Sequence, residues 1–439
     1  MNLLKELEER TLKEGQEWTR QLLEKRAQAQ ADGVGAVCPQ SGCLLKYRQR
    51  QPMTLMTCVG KITIQAWSGF SKALQARVHP LRDLWGLKPH QQMSPELEDR
   101  LVFTATTTNS YQRAAKVATR WGTAISDDTV HAAVQRVGER VPTTPLLRPP
   151  PRSKAKFSLV IMMAGWLVRQ RGPDWGAGKR KKAPVRINWK EVKSAVIYRL
   201  ETRTENASGR GHLVEKYVVA MPPDTSPVDF GTAVQAEAGR RGLAEAEKVY
   251  VVIDGALWLW NLATDRFSQA DHLLDFHHAS EHLWAIAHEL YGPGTPAGQC
   301  WAKGLLHSLR HGQEEEFVRT LEQLLQPKPQ EPSSPPEIST PPVLQEDPDL
   351  LKLPENTSDP ISKTLRVGVE YFKTHRDHLH YERNANQGAP VGSGSVESLC
   401  GQLQNRFKRT GQFWSPIGLR NLLSLDVLHR NNDLHCLWN

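Results

Sequence analysis

The sequence predicts an α/β protein built on a mixed sheet with flanking helices, and two observations lead there. Strand-like runs at Phe157 to Gln170, Ser194 to Arg203 and Gly211 to Ala220 precede a helical pattern at Asp229 to Gly242, and the short apolar run Val249 to Ile253 then reads as a buried strand. The chain of 439 residues, 39% hydrophobic and 23% charged, has the size and composition of a stable globular protein with two or three domains.

Taken in order, Met1 to about Gln30 reads as a helix carrying Leu4, Leu7, Trp18 and Leu22 near one face, a packing or dimerising helix that Asp32, Gly33 and Gly35 end. Cys38 to Cys43 looks like one knuckle of a zinc ribbon, followed by alternating strand-like residues from Met53 to Trp67. Tetrahedral zinc needs four ligands, and no second knuckle of paired cysteines follows. Ser110 and Ser126 are placed to cap helices starting at Tyr111 and Asp127, with Gly122 permitting the turn between them, which is a helix-turn-helix outline. Its second helix would present Asp127, Asp128, Thr129, His131 and Gln135; the two acids repel phosphate, so a plain packing hairpin stays open beside DNA recognition.

Pro142 to Pro151 marks a hinge, after which the strand and helix order matches a ribonuclease-H-like core. A long helical region is expected from Asp271 to about Leu325, then a Pro-rich flexible loop over 326–360. The expected domains are therefore an N-terminal helix (1–31), a degenerate ribbon-like β segment (32–92), a helix-turn-helix region (93–141), a catalytic domain (152–290 and 391–439) and a helical insertion (291–390).

The formal charge of +9 favours a polyanionic partner, because Lys and Arg that neutralise phosphates release condensed counterions. The longest apolar run, Phe157 to Val168, is interrupted by Ser158 and Gly165 and falls short of the roughly 20 residues that a bilayer span needs. The N-terminus lacks the apolar core of a secretory signal, and six scattered cysteines are too few for a disulfide framework, so a reduced, cytosolic protein is expected.

Asp254 closes the buried strand Val249 to Ile253, where a carboxylate reaches the rim of the sheet on a rigid backbone. Glu397 follows the turn Gly392 to Ser395, in the first turn of a helix that Ser393 or Ser395 would cap. Hard carboxylate oxygens at these two places suit magnesium, completed by water and phosphate oxygens.

Together, the segments Val252 to Asn261, Leu274 to Trp284, Gly392 to Glu397 and Asn405 to Trp414 resemble the DDE transposases of bacterial insertion sequences, in the ISKra-like group related to the Mutator superfamily. The resemblance runs from about residue 94 to the C-terminus and implies a ribonuclease-H-like domain interrupted by a helical insertion. It implies DNA cleavage and strand transfer with two magnesium (or manganese) ions, terminal-repeat and target DNA as partners, at least a dimer on DNA, and a nucleoid-associated location. By the same resemblance Asp254 is the second catalytic aspartate, Glu397 the glutamate, and Asp275 with His278 the Asp-x-x-His signature. The first aspartate falls on Ala164, whose methyl group binds no metal. Ala164 reads either as an inactivating substitution or as the mark of a naturally silenced copy, and Asp174, the nearest carboxylate, lies in a loop.

Lys179, Arg180, Lys181 and Lys182 suit phosphate contacts or form a solvated charge run; Arg406, Lys408 and Arg409 suit phosphate contacts beyond Glu397. Trp414 suits stacking on an unpaired base, or core packing. Two rival functions remain: a transposase-derived DNA-binding protein without catalysis, and a zinc protease using His278, Glu281 and His282 as an H-x-x-E-H motif.

Overall fold

The computed structural model describes residues 2–142, 156–176, 185–205, 211–326 and 362–438. The expected basic cluster Lys179 to Lys182 and the expected loop over 326–360 lie outside the described residues, save Gln326 at its start. The chain divides into two compact units, Met1–Val141 with Trp414–Asn439, and Pro142–Phe413. No helix among the described residues is long and apolar enough to cross a membrane.

In the first unit, α1 (Leu3–Val34) is capped by the Asn2 side chain and stops at Gly35, whose φ of 64° lies in the left-handed region. The antiparallel strands β1 (Lys46–Thr57) and β2 (Gly60–Ser71), with β3 (Ala76–Val78) on β2, alternate in burial. Leu55, Ile62, Ile64 and Ala66 thereby meet Ala27 and Ala31, the small residues of α1 that let the helix approach the sheet. The turn from Cys38 to Cys43 is closed by the Cys38 amide bonding the Cys43 carbonyl at 2.9 Å. Cys38 is buried and Cys43 exposed, and both are free thiols.

After α2 (Pro80–Leu84), three helices follow: α3 (Pro95–Thr107), α4 (Tyr111–Arg120) and α5 (Asp127–Gly138). Ser94, Ser110 and Ser126 each accept a backbone N–H from the first turn, so every one of these helices starts at a residue that satisfies an orphan amide. The C-terminal helix α14 (Pro416–Arg430) packs on α3 and α5. Buried Glu98 of α3 binds Arg136 of α5 and lies 3.7 Å from Arg140, holding two helices by charge as well as by apolar contact.

Gln135 does not face solvent as the helical pattern suggested. Its Oε1 accepts from Asn421 Nδ2 at 2.9 Å, because α14 covers that side of α5. Where the two helices cross, a Cβ on Gly138 would stand 2.5 Å from Asn421 Cβ and 2.8 Å from its Cα. Gly138→Ala is therefore expected to destabilise the protein by about 1–3 kcal/mol, the usual cost of overpacking. Urea unfolding reads this directly, and an unchanged midpoint would mean that the crossing relaxes freely.

The second unit centres on a five-stranded sheet in the order β10-β9-β4-β5-β8. β5 (Ile187–Arg199) pairs antiparallel with both β4 (Ser158–Arg171) and β8 (Tyr217–Met221), whereas β9 (Lys248–Ile253) pairs parallel to β4 and β10 (Asp271–Leu274) parallel to β9. This mixed sheet is compatible with a ribonuclease-H-like arrangement. β6 (Arg203–Glu205) and β7 (Gly211–Leu213) form a separate two-stranded ribbon. α6 (Pro227–Arg240) connects β8 to β9, and α7 (Leu257–Arg266) connects β9 to β10. The strand β10 departs from the helical expectation after Asp271; four residues are too few to show a period, and pairing with β9 makes them a strand.

Helices α8 (Phe276–Tyr291), α9 (Pro296–Arg310), α10 (Glu314–Gln323), α11 (Lys363–Thr374) and α12 (Tyr381–Asn386) then form a helical layer, with Phe317 and Phe372 edge to face at 5.0 Å. α13 (Gly394–Phe407) returns to pack on β4 and β5.

Candidate active site

Strand register places the site. Met163 and Leu274 both pair with Ile253, the last residue of β9. One residue further along three adjacent parallel strands stand Ala164, Asp254 and Asp275, level with one another at one edge of the sheet. Ala164 pairs across β5 with Ser194, which accepts from Trp166 Nε1 at 3.0 Å and also bonds the buried Cys400 of α13. These contacts put Ala164 on the sheet face that α13 covers, and Glu397 lies one turn before Cys400 on that helix.

Asp275 links the pieces. Its side chain is fully buried; Oδ1 accepts the Ser393 amide at 2.6 Å, and Oδ2 accepts the His278 amide at 2.9 Å and His278 Nδ1 at 2.6 Å. It thus caps α8 and grips the turn leading into α13. The same turn aims Glu397, for the Ser393 hydroxyl donates to Glu397 Oε1 at 2.7 Å instead of capping its own helix. Gly392 makes this possible, since a Cβ there would lie 3.2 Å from Asp275 Oδ1 and from His277 Cδ2.

The bond from Asp275, less the cost of burial, raises His278 to about 9, with Asp254 and Glu397 adding to the rise. His278 is therefore an imidazolium at neutral pH. Burial pushes Asp275 up, but the bonds from His278 and Ser393 outweigh it and hold the carboxyl below its ordinary range. Asp254 accepts the Ala256 amide at 2.8 Å, which turns the chain sharply after β9. Gly255 then admits Tyr371, whose ring occupies the place of a Cβ at 2.1 Å. Tyr371, stacked on His282 with centroids 3.7 Å apart, closes that side of the site, and burial raises its hydroxyl.

Asp275, His278 and Glu397 place one ligand atom each within 4.8 Å of one another. Asp275 uses both oxygens on protein donors and His278 uses Nδ1 on Asp275, so these two form a hydrogen-bond clamp. Asp254 and Glu397 each accept a hydrogen bond through one oxygen, from the Ala256 amide and the Ser393 hydroxyl. With a methyl group at 164, this donor set does not fit a pair of magnesium ions, whose mutual repulsion needs several carboxylates to offset it. Asp174 is no substitute. It accepts the Val185 amide at 2.8 Å beyond the far end of β4, on the order of 20 Å along the strand from Ala164.

The other candidates scatter. Thr129 bonds the Ser126 hydroxyl at 2.9 Å, and exposed His131 sets an edge against Tyr111 at 5.2 Å. Arg406 is buried, 6% exposed, which withdraws it from phosphate; Lys408 lies 5.4 Å over the Trp189 ring, and Arg409 is exposed. Trp414 is buried and presents no stacking face to solvent. His278 is engaged through Nδ1 by Asp275, and His282 is stacked on Tyr371, with centroids 3.7 Å apart. Sequence reading missed Tyr371, whose only signal was a glycine directly after Asp254, and the bond from Ser393 to Glu397.

No family model and no curated protein matches this chain. Among solved structures, the chain is similar to the Drosophila P element transposase in its strand transfer complex, with a TM-score of 0.33 and 12% identity over 77% of this chain and 92% of that one.

The clamp has a defined pH window. His278 is raised on folding from 6.5, so its contribution to stability is complete below about 6.5 and is lost as pH rises through about 9; Asp275 is lowered from 3.8, so its contribution is present above 3.8 and is lost at more acid pH. Titration of the histidine ring signals by NMR is expected to place His278 near 9, falling towards 6.5 in Asp275→Asn. A His278 that titrates near 6.5 in the unaltered protein would remove the clamp.

Proposed function

We propose that this chain is a DNA-binding protein of the DDE transposase kind, one that holds element-end DNA, as a dimer or larger assembly, but does not cleave it. In this reading the second unit is the ribonuclease-H-like catalytic domain, and the helices at 93–141 form the DNA-recognition region. The supporting observation is the convergence of Ala164, Asp254 and Asp275 at one edge of three neighbouring strands, with Glu397 brought in from a distant helix by the Asp275 and Ser393 bonds. That is where a metal-dependent phosphoryl-transfer site needs its carboxylates, and one position holds a methyl group instead. Asp254 and Glu397 would be the ligands for magnesium, and residue 164 the missing third.

Ala164→Asp is expected to create metal-dependent cleavage of labelled duplex carrying the DNA that flanks the chain's own gene. The gain should be at least about 100-fold, because even the groups behind metal ligands are worth about 10- to 100-fold. The parent chain should bind that DNA without cutting it, and Asp254→Ala in the restored background should abolish the gain. Tight binding with no cleavage by the restored form would leave a binding protein of transposase descent whose remaining site has drifted. Cleavage by the parent chain would sink the assignment of residue 164.

Recognition by α5 makes a separate prediction. Thr129→Ala with His131→Ala should weaken binding to the element ends by about 1–3 kcal/mol relative to random duplex. Equal losses on both DNAs would leave α5 as a packing helix.

A further inference from the structure

Next to the carboxylate edge the second unit carries a groove of different chemistry, with a volume of about 660 Å³. Its charged and ionisable walls are Arg203 of β6, His212 of β7, Lys216 before β8, and His277 of α8. Among the described residues no aspartate or glutamate lines it. The floor is the turn that carries Asp275's partner Ser393 and leads into Glu397, and it is built from small residues, Gly388, Ala389, Gly392, Gly394 and Ser395. Basic walls over a glycine-rich floor, open to solvent and ending at a phosphoryl-transfer site, have the chemistry of a track for a phosphodiester backbone.

We infer that this groove binds a DNA strand through its phosphates and guides it to the Glu397 edge. The inference rests on the DNA-binding function proposed above and names the surface that carries part of it. Arg203 supplies a guanidinium that crosses the space over Gly211, where a Cβ would lie 2.7 Å from its Nε, so the short β6 and β7 ribbon holds this charge against the groove. Lys216 approaches from the next connection and is half-buried. His277 is exposed and packs beside Gly392, at the point where the groove meets the clamp. Tyr198 is buried beneath, with its hydroxyl bonded to Ser395, which fixes the floor to the sheet. The turn therefore has two faces of use: Ser393 faces the carboxylates and Ser395 and Ser398 face the groove, with Gly392 lining the groove where the two meet.

The test is fluorescence anisotropy of the full chain with short fluorescein-labelled oligodeoxynucleotides, single-stranded and duplex, across a salt series. Arg203→Gln with Lys216→Gln is expected to reduce the slope of log affinity against log salt by roughly 1 to 2, the loss of two phosphate contacts, whereas exposed Lys303→Gln on α9 leaves it unchanged. Ser398→Glu adds an anion to the wall without removing a contact, and should weaken binding with the circular dichroism and melting of the protein preserved. Binding by the parent chain with unaltered slopes in all three variants would overturn the groove while leaving the proposed function standing. No binding of any DNA by the parent chain would overturn both.

Discussion

A single buried carboxylate holds the candidate site together. Asp275 ends a strand, starts a helix and accepts an amide from a turn 118 residues later in sequence, so three separate pieces of chain depend on one group. A buried carboxylate is tolerated only when its oxygens are satisfied, and here three donors satisfy it. The consequence reaches Glu397: the turn that Asp275 fixes is the turn whose serine orients the glutamate.

On the proposed reading, this arrangement would let the edge keep its form whatever residue stands at 164. Residue 164 lies in the middle of β4, paired with β5 and just past the end of the pairing with β9, in a sheet whose cohesion comes from Leu159, Val160, Ile161, Val251 and Val252, all fully buried. A methyl group there brings no charge to the edge. With the imidazolium of His278 beside Asp254 and Glu397, the remaining carboxylates are partly balanced without metal. The clamp of Asp275, His278 and Ser393, rather than the side chain at 164, organises the edge.

The groove beside this edge shows the same division on a larger scale. Acidic groups gather on one side of the Gly392 to Ser395 turn and basic groups on the other, within one unit. A polyanion would be attracted to the basic side and repelled by the acidic side unless cations intervene there. Binding and chemistry would then respond to different residues.

Much of this was legible in the sequence, for local reasons. The serines before α3, α4 and α5, the apolar run of β9 and the carboxylate at its end are local signals, because capping and strand pairing of this kind depend on neighbours a few residues away. The candidacy of Asp254 and Glu397 followed from where their motifs fall in the chain, and that of Ala164 from the family resemblance. What only the tertiary structure decided depends on distant contacts: β10 is a strand because β9 offers it a partner, Gln135 turns inward because α14 lies over it, and Arg406 is buried because α13 packs on the sheet. The role of Asp275 belongs to the same class, since nothing within its own segment reveals that an amide at Ser393 will fill its second oxygen. Periodicity records which face of a segment is apolar, but which charged or polar group finds a partner is settled when remote elements meet.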